Sequence, residues 1–105
     1  MKDSTYTKER EKVPALVERL VREMKLPEGV SQEANRILEQ AQELEVAPGQ
    51  NPGGQAAAAV YIASILTDNR VTQEAVSQTF EVSIQTVRTH YIKLVRALGI
   101  SRGSR

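Results

Sequence analysis

The side chains best suited to chemistry in this 105-residue chain lie between Ser83 and Arg96. Gln85 and Arg88 stand three residues apart, which on a helix puts them on one face. A guanidinium pairs bidentately with guanine O6 and N7, and a carboxamide pairs in the same way with adenine N6 and N7. A helix laid in the major groove brings such side chains to base edges from its N-terminal turns. Gln85, Arg88, Ile84 and Thr89 are therefore the candidate base contacts. Ile84 either touches a thymine methyl or simply closes the turn. Ser83 and Thr86 can hydrogen-bond phosphates near the helix start, and Lys93 and Arg96 can follow the backbone farther along.

The charge pattern agrees with that chemistry. Residues 1–50 carry eight basic and ten acidic side chains, whereas residues 51–105 carry six and three. After Glu81 there is no carboxylate side chain, while Arg88, Lys93, Arg96, Arg102 and Arg105 add positive charge. Such a local basic footprint neutralises phosphates. The plainer reading is a solvated helix end whose cations complement the C-terminal dipole.

Other chemistries find little support. Zero cysteines exclude disulfides, thiolate zinc sites, iron–sulfur clusters and cysteine nucleophiles, and fit an intracellular protein. The lone His90 has no obvious acidic partner nearby in sequence, so it reads as a helix-surface residue near phosphates rather than an acid–base catalyst. Gly49-Gln-Asn-Pro-Gly-Gly-Gln55 has the glycines of a phosphate loop but lacks the Gly-Lys-Ser/Thr ending, and no strand precedes it. The longest apolar stretch, Ala56 to Leu66, is well short of the roughly 20 residues a bilayer requires. No cofactor, metal or membrane partner is expected, and no enzyme.

The elements that position these residues read as an all-α domain of five helices. Residues 1–13 mix charged and hydroxyl side chains without a sustained apolar period and read as a flexible tail or linker. From Pro14, placed in a first turn, Leu16, Val17, Leu20, Val21 and Met24 recur at helical spacing until Pro27 and Gly29. Ser31 is the expected N-cap of a second helix carrying Ala34, Ile37, Leu38, Ala41 and Leu44 inward, as far as about Val46. Asn51 and Pro52 open a third helix to about Thr67, apolar on nearly all sides and so placed at the centre of a bundle.

Thr72 caps a short fourth helix to about Phe80, and Ser83 caps a fifth to about Leu98. Together they form a helix-turn-helix over about 72–98, anchored by Val76, Phe80, Val82 and Val87. Two residues depart from the usual pattern. Glu81 stands where glycine often supplies a positive φ, and Ser77 where alanine usually packs. The domain is expected over 14–99, with a basic tail at 100–105.

Pro14-Ala-Leu-Val-Glu-Arg19, the segment from Gly49 through Ala56-Ala-Ala-Ala-Val-Tyr-Ile-Ala-Ser64, and Gln85-Thr-Val-Arg-Thr-His-Tyr91 together resemble the second cyclin-like repeat of transcription initiation factor IIB. The archaeal homologue, transcription factor B, is closest in character. The resemblance implies a five-helix cyclin-like fold whose last two helices bind DNA. It further implies reading of the B recognition element in the major groove, beside the complex of TATA-binding protein with the TATA box, and recruitment of RNA polymerase. The family's base-reading valine and arginine fall on Gln85 and Arg88; only Arg88 matches, and Gln85 replaces apolar contact by a group suited to adenine. Gln50 stands where the family commonly has Lys or Arg. The family's zinc ribbon, linker and first repeat have no counterpart here, so the chain is expected to be the C-terminal domain of a longer factor. Its location would be the archaeal cytoplasm and nucleoid, or a eukaryotic nucleus.

Two other readings remain beside it. One is a cyclin-like protein-interaction adaptor that does not read sequence, which the acidic first half would suit. The other is a gene-specific repressor, but that would need a dimer surface, and no exposed apolar stripe suggests one; a monomer is expected.

Overall fold

Pro52 opens a helix whose next residues have so little bulk that four other helices close around it. The computed structural model describes residues 2–43 and 52–99. They form five α-helices: α1 (Lys2–Glu23), α2 (Glu28–Glu43), α3 (Pro52–Leu66), α4 (Gln73–Phe80) and α5 (Ile84–Leu98). No strand occurs among the described residues. Ala56, Ala57, Ala58, Ala59, Val60 and Ala63 are fully buried, and α3 packs against each of the other helices. Small side chains permit this because the separation of helix axes is set by the bulk at the contact. The expected central helix is thus found, at the expected start. Its Asn51 cap, like Leu44, Val46, Gln50, Arg102 and Arg105, lies outside the described residues.

Around this axis each amphipathic helix contributes one face. Val13, Val17, Leu20 and Val21 of α1 are buried, as are Val30, Ala34, Ile37 and Ala41 of α2. Leu16, Met24 and Leu38 pack partly against them.

Two helix starts differ from the sequence reading. Helix α1 begins at Lys2 and contains Pro14, so residues expected as a flexible tail are continuous with the helix that builds the core. The proline withholds one donor from the carbonyl of Arg10, but Lys8 through Lys12 are Lys, Glu and Arg, which lose little side-chain freedom in a helix and carry it past that point. Helix α2 begins at Glu28, which places Ser31 inside its first turns rather than at the cap. The Ser31 hydroxyl donates backwards to the Glu28 carbonyl at 3.0 Å, the alternative open to serine within a helix.

Three helix ends share one device. The amides of Lys25 and Leu26 bond the carbonyls of Arg22 and Val21, those of Asp68 and Asn69 bond Ile65 and Ser64, and those of Glu81 and Val82 bond Gln78 and Ser77. Each is a Schellman pair of bonds around one residue in the left-handed conformation. Lys25, Asp68 and Glu81 occupy that position at φ 58°, 65° and 57°, without a glycine. The turn at Lys25 therefore closes α1 just after Glu23, ahead of Pro27, and Gly29 lies inside α2.

Candidate nucleic-acid interface

Helices α4 and α5 realise the helix-turn-helix with the caps foreseen in the sequence. The Thr72 side chain accepts from the Ala75 amide at 3.0 Å, and the Ser83 side chain accepts from the Thr86 amide at 3.0 Å. Both cap residues have extended backbone, as an N-cap requires. Val76, Phe80 and Val87 are buried and Val82 packs partly against them, so the anchors fall where expected.

The two departures from the usual turn have structural answers. Glu81 adopts the left-handed conformation itself, with its side chain exposed to water. Ser77 uses its hydroxyl, which donates to the Val82 carbonyl at 2.6 Å, while the Val82 amide donates to the Ser77 carbonyl at 3.1 Å.

Helix α5 then divides into two faces. Val87, Tyr91 and Leu94 point into the core, with Val95 and Leu98 partly covered. Tyr91 meets Tyr61 of α3 edge to face, with ring centroids 5.1 Å apart at 90°. On the outside, Ile84, Gln85, Arg88, Thr89, Lys93 and Arg96 are exposed, together with Ser83. At 3.6 residues per turn, Gln85, Thr89 and Arg96 form one line along the helix. Arg88 and Lys93 flank that line on opposite sides, about 140° apart around the axis.

Thr86 is the one candidate drawn inward. It is half-buried, and its hydroxyl oxygen accepts from the Ser83 hydroxyl at 2.9 Å. One hydroxyl proton of this pair remains for an outside acceptor. The amides of Ile84 and Gln85 precede the first intrahelical donor, Val87, whose amide bonds the Ser83 carbonyl at 3.1 Å. Unpaired amides at a helix start favour an anion.

Among the described residues the ion pairs are Arg19 with Glu23 on α1 and Arg36 with Glu33 on α2. Arg88, Lys93 and Arg96 have no carboxylate partner there, so α5 presents its positive charge outward. No group of three or more His, Asp or Glu side chains could hold a metal among these residues, and no helix is long and apolar enough to cross a membrane.

Sequence reasoning missed two residues here. Ile92 is exposed beside Thr89 and Arg96, an apolar side chain on the outward face; helical spacing in the sequence could have found it. His90, expected on the surface near phosphates, is half-buried instead, with Nδ1 3.0 Å from the Thr86 carbonyl oxygen. Its ring lies against Gly54 of α3, a contact between residues far apart in sequence that periodicity does not reveal.

Residues 6–97 match the model of the transcription factor TFIIB repeat. The chain is 43% identical over 91 residues to transcription initiation factor IIB of Caldivirga maquilingensis, covering 87% of this chain and 26% of that protein. It is 39% identical over 82 residues to transcription initiation factor IIB of Methanopyrus kandleri, covering 78% and 27%. A third, from Haloarcula vallismortis, is 37% identical over 84 residues, covering 80% of this chain and 74% of that one. The chain thus spans about a quarter of the length of the first two relatives.

Proposed function

The chain belongs to the transcription factor TFIIB repeat family, and from that premise we propose that it is the promoter-binding repeat of a general transcription initiation factor. Repeats of this family have a cyclin-like all-α fold, to which the five helices conform. In this reading α5 enters the major groove at the B recognition element, next to TATA-binding protein on the TATA box, and the factor helps to recruit RNA polymerase. Arg88 and Gln85 read base edges, with Thr89 and Ile84 beside them, while Ser83, Thr86, Lys93 and Arg96 hold phosphates.

The observation that carries this reading is the outward face of α5. It bears Arg88, Lys93 and Arg96 without a carboxylate partner among the described residues, on a helix capped and oriented by a helix-turn-helix. Residues 14–99 act as the repeat, residues 1–13 lead to it from a preceding repeat, and residues 100–105 extend the basic charge. The domain works as a monomer inside the cell and catalyses no reaction.

The direct test titrates duplex DNA carrying a randomised major-groove site into the ¹⁵N-labelled chain, alone and with TATA-binding protein on a TATA box. Amide shifts centred on Ser83 to Lys93, with selection of a consensus, are expected. Shifts confined to α1, α2 and α3, arising only with the protein partner, would make the domain an adaptor instead.

A further inference from the structure

We propose that Gly54 is a positioning residue for α5, and that its missing side chain sets the seat from which Gln85 and Arg88 read bases. The inference rests on the DNA reading above. Glycine is a poor helix former and alanine the best, yet Gly54 sits inside α3 just ahead of four alanines. A Cβ at this position would lie 2.8 Å from Thr86 Cγ2, 2.9 Å from His90 Cε1 and 3.0 Å from His90 Nδ1. Carbon atoms in contact prefer about 3.5–4.0 Å, so room on the order of 1 Å is lacking.

None of the neighbours can yield cheaply. Thr86 is β-branched and stiff at χ1, and turning its methyl aside would break the 2.9 Å bond between its hydroxyl and Ser83. The His90 ring is held by the 3.0 Å contact of Nδ1 with the Thr86 carbonyl. Helix α3 cannot retreat, because Ala56 through Val60 are fully buried among the other four helices. What must give way is the start of α5, which Val87 and the Ser77–Val82 turn anchor on one side but whose far side faces water.

A displacement of that size at the start of α5 separates the two kinds of DNA contact. Bidentate pairing with a base needs donor–acceptor distances of about 2.7–3.2 Å and fails when the helix moves. Lys93 and Arg96, on long stems, keep their hold on phosphates. Gly54 thus governs discrimination more than grip.

The test compares preference for the selected DNA site over a scrambled duplex in the wild-type chain, Gly54→Ala, Thr86→Ser/His90→Ala, and the triple variant combining all three changes. Thr86→Ser removes the offending methyl and keeps the hydroxyl. Gly54→Ala is expected to lower the preference about tenfold while affinity for scrambled DNA stays within about twofold. The triple variant is expected to match Thr86→Ser/His90→Ala, because the crowding is gone. If Gly54→Ala does not fold, the triple variant still should, and its failure to do so overturns the inference. A Gly54→Ala chain that discriminates like wild type, or a triple variant that stays impaired, also overturns it. A wild-type chain without any preference overturns the DNA reading and this inference with it.

Discussion

Ser77 and Val82 bond each other twice across the turn of the helix-turn-helix: the Ser77 hydroxyl donates to the Val82 carbonyl at 2.6 Å, and the Val82 amide donates to the Ser77 carbonyl at 3.1 Å. The pair closes the turn from both directions, so the angle between α4 and α5 does not depend on the packing of Val76, Phe80 and Val87 alone. Ser77→Ala leaves the Val82 carbonyl short of a partner and is expected to destabilise the fold by about 1 kcal/mol. Urea unfolding with an unchanged m-value checks this; wild-type stability would mean that water replaces the hydroxyl without loss.

Glu81 takes a left-handed conformation that costs a non-glycine residue about 1–2 kcal/mol, part of which glycine returns through the entropy of the unfolded chain. Glu81→Gly is expected to raise stability by about 0.5–1 kcal/mol. Because it also removes an exposed carboxylate near the start of α5, it should tighten DNA binding at low salt more than at high salt. Thermal unfolding and a salt series of binding isotherms measure the two effects.

Ser83 and Ser31 both looked like N-caps, and the structure gives them different work. The Ser83 oxygen accepts an orphan amide, whereas the Ser31 hydroxyl donates to a carbonyl within α2. Ser83→Ala is expected to cost about 1 kcal/mol, and Ser31→Ala no more than about half of that. Equal losses would contradict the assignment of the two roles.

Arg88 and its fellow cations should separate in binding experiments. Arg88→Ala is expected to weaken specific binding by about 1–3 kcal/mol and relax preference at one base pair. Lys93→Ala and Arg96→Ala should weaken cognate and scrambled DNA alike and reduce the slope of log K against log salt by about 1 each. An Arg88→Ala chain that loses equally on both duplexes would place Arg88 on phosphate instead.

Gln85 is the proposed base reader at the position where the resemblance implies a valine. Gln85→Val is expected to shift the selected base away from adenine at one position while leaving affinity for scrambled DNA unchanged. Site selection with both proteins in parallel reads this out, and identical consensus sequences would remove Gln85 from base contact.

Much of this architecture was legible in the sequence because it depends on local chemistry. The apolar run from Ala56 to Leu66 has no polar face to offer water, which sends α3 to the centre. Thr72 and Ser83 stand just ahead of periodic apolar residues, so their capping roles could be read directly. Spacing alone put Gln85, Thr86, Arg88 and Thr89 opposite the face of Val87, Tyr91 and Leu94; Gln85, Arg88 and Thr89 are exposed as expected, whereas Thr86 is half-buried.

Tertiary structure decided the rest. Lys25 gives no sign of a left-handed end by its type, whereas Asp68 is a type that tolerates one and Glu81 stood where a glycine is usual; the chain accepts that strain where the backbone bonds of the Schellman turn are made, and the residues following two of the turns, Leu26 and Val82, reach the core. Pro14 marked a helix start by its usual preference, but α1 runs through it. The approach of Gly54 to Thr86 and His90 joins residues more than thirty positions apart, and only the packing of α3 against α5 creates it. The sequence by itself determined which elements form and which faces they bury, since these follow from each residue's own solvation and propensity; the fold alone decided how closely the helices approach, since that depends on the shape of both surfaces at once.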